Sequence, residues 1–347
     1  MVSLDEVHKN NASLKDYGPN LVAVFVGGTS GIGEATARAF VRDTLSPRVF
    51  LVGRNEAQAS KIIEELRQLN PAGQLSFVKC DAARLQSVDE ACKVIQAKEE
   101  KINLLFLSAG ILTTKGRDET DEGLDKKLSL HYYSRMRFIN NFLPQLTNAG
   151  TVAEDSTPAK PGLRRNLASA VSVLEAGGES PINLDDLSLK TTYSLRNAAK
   201  HAITMTSLSM QELAVSHPEV SFVHAYPGVV KTGIMREFGT ITRVAMSAMF
   251  ILAKPWMVPL NESGDRHLYA ATSPRFPPRA SNGGGDVAPG ADGAKGSGAY
   301  LLHWDGSTAG NQKVLQDYRE NETGKLVWKH TVGVFGSICG RAGLLED

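Results

Sequence analysis

One short segment confines the fold more than any other feature of this chain. Gly27-Gly28-Thr29-Ser30-Gly31-Ile32-Gly33 follows directly on the apolar run LVAVFV (21–26) and leads straight into a helical pattern from Glu34 to about Arg42. Glycine lets a backbone turn tightly and come close to a bound group. The helix that follows presents unpaired N–H groups, which suit an anion such as a phosphate. A strand, a glycine turn and a helix in immediate succession therefore read as one half of a strand–helix–strand unit with a phosphate cradle at its bend.

The rest of the chain repeats that rhythm. Apolar runs at 49–53, 75–80, 102–110, 170–174 and 220–228 read as further strands, and 299–303 as a last one. Between them lie helical stretches, with Ile62, Ile63, Leu66 and Leu69 at helical spacing and longer patterns over 118–146 and 191–214. Strands alternating with helices predict an α/β fold, a Rossmann-like doubly wound parallel sheet in three layers. The spacing predicts one domain over 1–347. It comprises a polar N-terminal extension (1–20), a core (21–280) that holds the phosphate cradle, and a C-terminal extension (299–347) with a short helix over 311–318. The stretch 281–298, SNGGGDVAPGADGAKGSG, has no apolar periodicity and reads as a flexible loop. A polar insertion, 151–163, precedes the fifth strand.

Composition narrows the function. With 38 Lys+Arg against 37 Asp+Glu the chain lacks the basic excess of a nucleic-acid binder. Three scattered cysteines, Cys80, Cys92 and Cys339, make neither a disulfide framework nor a zinc site, and no metal is expected. No apolar run reaches the roughly 18 residues of a membrane span, and the start of the chain does not read as a signal peptide. A cytoplasmic protein is expected, with a possible membrane-surface contact at the apolar stretch 244–253.

The motifs resemble the short-chain dehydrogenase/reductase family. Gly27, Gly31-Ile32-Gly33 matches its T-G-x-x-x-G-[IL]-G fingerprint, and Ser108-Ala109-Gly110 the end of its N-N-A-G. Asp81 stands where the family contacts the adenine ring, and Pro227-Gly228-Val229-Val230-Lys231-Thr232 is similar to its P-G-x-[VI]-x-T. The resemblance runs from Leu21 to Pro278. It implies a dinucleotide held by Gly27, Ser30, Gly31, Ile32, Gly33, Asn55, Asp81, Ser108, Ala109, Gly110, Tyr193, Asn197, Pro227, Gly228, Val230 and Thr232. Val26, and Leu107 with Ser108, depart from the family's Thr and paired Asn, which implies weaker bracing of two loops. Strand two ends Val52-Gly53-Arg54-Asn55 without a carboxylate for a ribose hydroxyl. Arg54 instead suits a 2′-phosphate, so NADP(H) is the expected cofactor.

The family's catalytic set is incomplete. It pairs a Tyr with a Lys four residues on, neighbours on a helix face. Here Tyr193 is present, but Asn197 occupies the lysine position. Lys200 lies two turns away, about 10 Å along the axis. In AVSVLEAGG (170–178), Glu175 falls at the family's serine, and His131 falls at the Asn of the long helix. The segments LHYYSRM, YSLRNAA and RHLYAATSPRFPP further resemble fungal family members associated with secondary metabolism.

Three functions remain open on these residues. One is NADP-dependent reduction of a carbonyl on a hydrophobic small molecule, with Tyr193 as proton donor and the apolar segment 241–260 as a substrate lid. Another is a repurposed member that binds NADP(H) but isomerises or cyclises, with His131 and Glu175 as acid and base. The last is cofactor binding without chemistry. The family resemblance implies a possible homodimer through 118–146 and 191–214.

Overall fold

The computed structural model describes residues 1–151, 166–233, 257–281 and 286–340. Strand β1 (Val22–Val26) is buried along its whole length, as a strand covered on both faces must be. It pairs in parallel with β2 (Arg48–Gly53) and β4 (Leu104–Leu107), so that Val24 lies between Phe50 and Leu105. Adding β3 (Gln74–Lys79), β5 (Ser169–Val173), β6 (Ser221–Ala225) and β7 (Ala299–Leu302) gives the order β3-β2-β1-β4-β5-β6-β7, all neighbours parallel. The chain reverses direction across the sheet between β1 and β4. That switch point is where doubly wound sheets open a crevice.

Because strand side chains alternate, β1 feeds two cores. Val22, Val24 and Val26 face α4 (Leu85–Gln96), α5 (Ser134–Gly150) and α6 (Leu195–Ser216). Ala23 and Phe25 face α1 (Leu4–Ala12), α2 (Gly31–Asp43), α3 (Glu56–Leu69) and α7 (Leu260–Thr272). The three-layer α/β fold expected from the sequence is what forms.

Several segments differ from their sequence reading. The N-terminal extension is not loose: α1 packs on α7, with Val2, Val7 and Leu14 buried and Asn11 Nδ2 donating to Asp265 O at 2.9 Å. The described part of the glycine-rich stretch, 286–298, is a folded turn and corrects the flexible-loop expectation. Ala288 and Ala291 are buried, Gly290 N bonds Ala294 O, and Gly293, Gly296 and Gly298 take positive φ. Glycine serves left-handed turns there, a use that composition does not distinguish from looseness. The long helix starts at Lys126 rather than 118, because Asp125 caps it: its Oδ1 accepts Leu128 N and its Oδ2 accepts Asp118 N. The turn Lys126–Leu128 then runs through a π-helical turn, Ser129–Tyr133, into α5.

Past β7 and α8 (Gln312–Glu320) comes a helix the sequence reading missed, α9 (Thr323–Cys339). Val327, Thr331 and Phe335 form its buried stripe. Thr331 Oγ1 pairs with Tyr132 Oη (2.5 Å), His330 Nε2 with Tyr133 Oη (2.8 Å), and Phe335 lies under the Arg137 guanidinium. Thus α9 packs over α4 and α6 and occupies part of the surface assigned above to a dimer contact. No described helix is long and apolar enough to cross a membrane. The stretch 244–253, nearly all of the 241–260 segment and nearly all of the 151–163 insertion lie outside the described residues.

Candidate active site

A cleft of about 620 Å³ opens at the switch point. Its floor is the glycine turn. Gly27 and Gly31 have φ of +85° and +60°, a region that penalises side chains. At Gly33 a Cβ would collide with Ser108 Oγ and lie 2.6 Å from Gly27 O. Thr232 closes over the turn: its side chain would be 3.3 Å from a Cβ on Gly31. The amides opening α2 therefore border the cleft at a height no larger residue allows. A diphosphate fits there on the chemistry of the donors, bare N–H groups at a helix start.

Most of the sequence-predicted binding residues do meet here. Gly27, Ser30, Gly31, Ile32, Arg54, Asn55 and Asp81 line one side, and Ser108, Ala109, Gly110, Pro227 and Thr232 the other. Asn55 also caps α3, its Oδ1 accepting Gln58 N at 3.0 Å. Asp81 Oδ1 accepts Ala83 N, which fixes the loop after β3. Ser108 Oγ donates to Val26 O at 3.3 Å, so this serine keeps a brace where the family's asparagines are absent. Gly33, Gly228 and Val230 do not line the cleft; Gly33 and Gly228 act on its shape, with Gly228 at φ +70° against Trp304.

The catalytic candidates divide. His131 and Glu175 line the cleft; Tyr193 and Asn197 do not. The reason is local. Ser194 is the N-cap of α6, its Oγ accepting Asn197 N, so Tyr193 precedes the helix and the two do not share a helical face. Asn197 Nδ2 turns back to Thr192 O at 2.8 Å. Tyr193 Oη is buried on the side of the Asp125 carboxylate and meets no hydrogen-bond geometry among the described residues. Burial, then that negative charge, pushes its pKa up to about 12. The part of α6 that does face the cleft is apolar: Ala199, Ala202 and Ile203.

His131 is a brace as well as a lining residue. Its Nε2 accepts Ile111 N at 3.1 Å, pinning the loop after β4. Burial, then the charges of Arg135 and Lys127, drives its pKa down to about 3, so the ring is neutral. Glu175 is exposed, and its amide donates to His224 Nε2 at 3.3 Å. Behind it a buried chain holds the loop. His224 Nδ1 pairs with Ser207 Oγ (2.9 Å), which donates to Glu179 Oε1 (2.7 Å), while Glu179 also accepts Gly177 N and Asn311 N.

Two cations in the cleft were absent from the sequence reading, Lys127 and Arg135. Their signal was present: Lys127, His131 and Arg135 recur every fourth residue. Arg135 is buried without a carboxylate partner among the described residues and donates to Ala109 O, Val173 O, Leu130 O and Ser172 Oγ at 2.7–3.2 Å. Burial lowers its pKa to about 9, still charged at neutral pH.

A glycine cradle at the switch point of a parallel sheet, with an arginine beyond β2, defines a dinucleotide-binding α/β protein. Comparison with known proteins narrows this. Residues 21–154 match the family model for short chain dehydrogenase. Oxidoreductase AN1596 of Emericella nidulans is 43% identical over 98% of this chain and 100% of its own length. Oxidoreductase andH of Emericella variicolor is 37% identical over 99% of each. Among solved structures, the NADPH-bound carbonyl reductase from chicken fatty liver shares the fold at TM-score 0.55 and 18% identity, covering 84% of this chain and 99% of that one. The chain belongs to the short-chain dehydrogenase/reductase family.

Proposed function

We propose that this protein is an NADP(H)-dependent reductase of a carbonyl group on a hydrophobic small molecule, among the secondary metabolites of a fungus. One observation carries the cofactor choice. Arg54 stands exposed at the cleft with no ion pair among the described residues, and no carboxylate at the end of β2 competes with it. When bound, the dinucleotide supplies a hydride. The chain's part is to hold it, exclude water and deliver a proton. Leu112, Leu130, Leu174, Ala199, Ala202 and Ile203 make an apolar wall, which supports a hydrophobic substrate. Tyr193 is the proton donor in this proposal, since a phenol with a pKa near 12 keeps its proton throughout the neutral range. The full match to fungal oxidoreductases supports the redox class and the substrate setting.

One observation favours the repurposed alternative: Tyr193 lies outside the cleft lining, while His131 and Glu175 lie within it. The two separate in one experiment. Loss of NADPH absorbance with a panel of hydrophobic ketones supports reduction. Tight NADPH binding without consumption, together with conversion of a substrate to an isomer, would replace it.

A further inference from the structure

We propose that Lys127 is a dinucleotide-binding residue, supplying from the wall before α5 the cation that Asn197 on α6 does not. The inference rests on the NADP(H) assignment above and extends it to a residue outside the family motifs.

Lys127 is buried, with 8% of its surface exposed, and it lines the cleft. It makes no hydrogen bond or ion pair among the described residues. The nearest carboxylate on its own turn, Asp125, is already committed to Leu128 N and Asp118 N. Its neighbour Lys126 shows the contrast: that ammonium sits at 2.9 Å from Asp118 and does not line the cleft. The Lys127 stem is buried while its ammonium reaches the cleft without a partner among the described residues, so an arriving anionic oxygen finds a charge already held in place.

The other charges of the cleft leave this place open. Arg135 is spent on three carbonyls and Ser172, His131 is neutral, and Arg54 stands beyond β2 on the opposite side of the switch point. Among the described lining residues, Lys127 is therefore the one unspent cation on the β4 side. It borders the cleft together with Gly110, Ile111 and Leu112, which follow β4 directly, so it flanks the crevice where a dinucleotide lies across the sheet. The turn that carries it packs against α6, the helix where the family's lysine is missing. A dinucleotide offers phosphate and ribose oxygens. An ammonium needs only one of them, since it acts as a compact charge rather than a fixed fork.

The test is a binding titration with the full chain, following NADPH fluorescence or heat. Lys127→Met should weaken NADPH by roughly 10–100-fold, the range of a charge-assisted hydrogen bond. Lys127→Arg should stay within about threefold of the unmodified chain, as the charge is kept. Lys126→Met, which removes the same charge one residue away, should change little. Thermal melting of each variant separates lost binding from lost folding. Equal Kd for Lys127→Met and the unmodified chain overturns the proposal, as does an equal loss in Lys126→Met. Lys127→Met that does not fold, with Lys127→Arg folded but bound tenfold weaker, also overturns it. If the unmodified chain binds no NADPH, the NADP(H) assignment falls along with it. Unchanged binding in Lys127→Met removes Lys127 alone.

Discussion

The two walls of the cleft are built on different terms. On the β1–β2 side the backbone does the work: Gly27, Gly31 and Gly33 bring amides to the surface, and side chains serve mainly as caps and closures. On the β4–β5–α6 side, side chains do it. An apolar stretch of α6 faces the cleft, Tyr193 stands before the helix, and a column of Lys127, neutral His131 and Arg135 comes from the facing element. A backbone cradle tolerates change in few places, because a side chain at Gly27 or Gly33 meets main chain and one at Gly31 is strained by its positive φ. A wall of side chains can be rewritten while the fold persists.

Four measurements break or sharpen this contrast. Tyr193→Phe should cut reduction by roughly 10²–10⁴-fold, the usual worth of general acid help, with NADPH binding unchanged. Reduction in the unmodified chain should persist to high pH, because the raised pKa keeps the donor form; oxidation needs the anion and should rise with pH. Intact turnover in Tyr193→Phe would move the chemistry to the His131–Glu175 side.

Gly33→Ala places a methyl against Ser108 and Gly27 O and should weaken NADPH by roughly 100-fold, given the 1–3 kcal/mol typical of overpacking. Ala199→Ser, on the other wall, should barely alter it. Similar losses in both would erase the distinction. Arg54→Asp should bring NADPH down to the affinity of NADH, about a tenfold change for one charge-assisted contact, read by competing titrations.

The smallest effect concerns acid stability. His131 and His224 are held neutral by burial, with pKa near 3 and near 4 against about 6.5 unfolded. Below pH 6.5 the unfolded chain takes up protons that the folded one refuses. Stability is therefore lost as pH falls toward 4, by about 1.4 kcal/mol per pH unit for each ring. His131→Asn, which can still accept Ile111 N, should reduce that slope by one ring's share in urea melts at pH 5 and 6. An unchanged slope would mean that His131 titrates freely.

Much of this protein was legible in the residues alone. Strand alternation with helices, the glycine turn, Arg54, Asp81 and the Ser108–Gly110 loop all depend on local chemistry: period, turn geometry and the absence of a Cβ. These led to the doubly wound sheet and to most of the cradle. What failed was non-local. Whether 286–298 is loose or folded depends on alanines that find a core and carbonyls that find amides elsewhere in the chain. That α9 is a helix covering α4 and α6 depends on Tyr132, Tyr133 and Arg137 waiting beneath it. The expected sharing of one helix face by Tyr193 and Asn197 is absent for a sharper reason. A four-residue spacing puts Tyr193 and Asn197 on one face only if both are helical, and the cap at Ser194 starts the helix at Leu195, two residues past Tyr193. The same spacing does bring Lys127, His131 and Arg135 to the cleft, because the chain there stays helical through a π turn. Residue types and intervals determined which chemistry this chain could hold. Caps, burial and the packing of one helix on another decided which of those side chains reach the cleft, since each depends on partners that no local stretch of sequence contains.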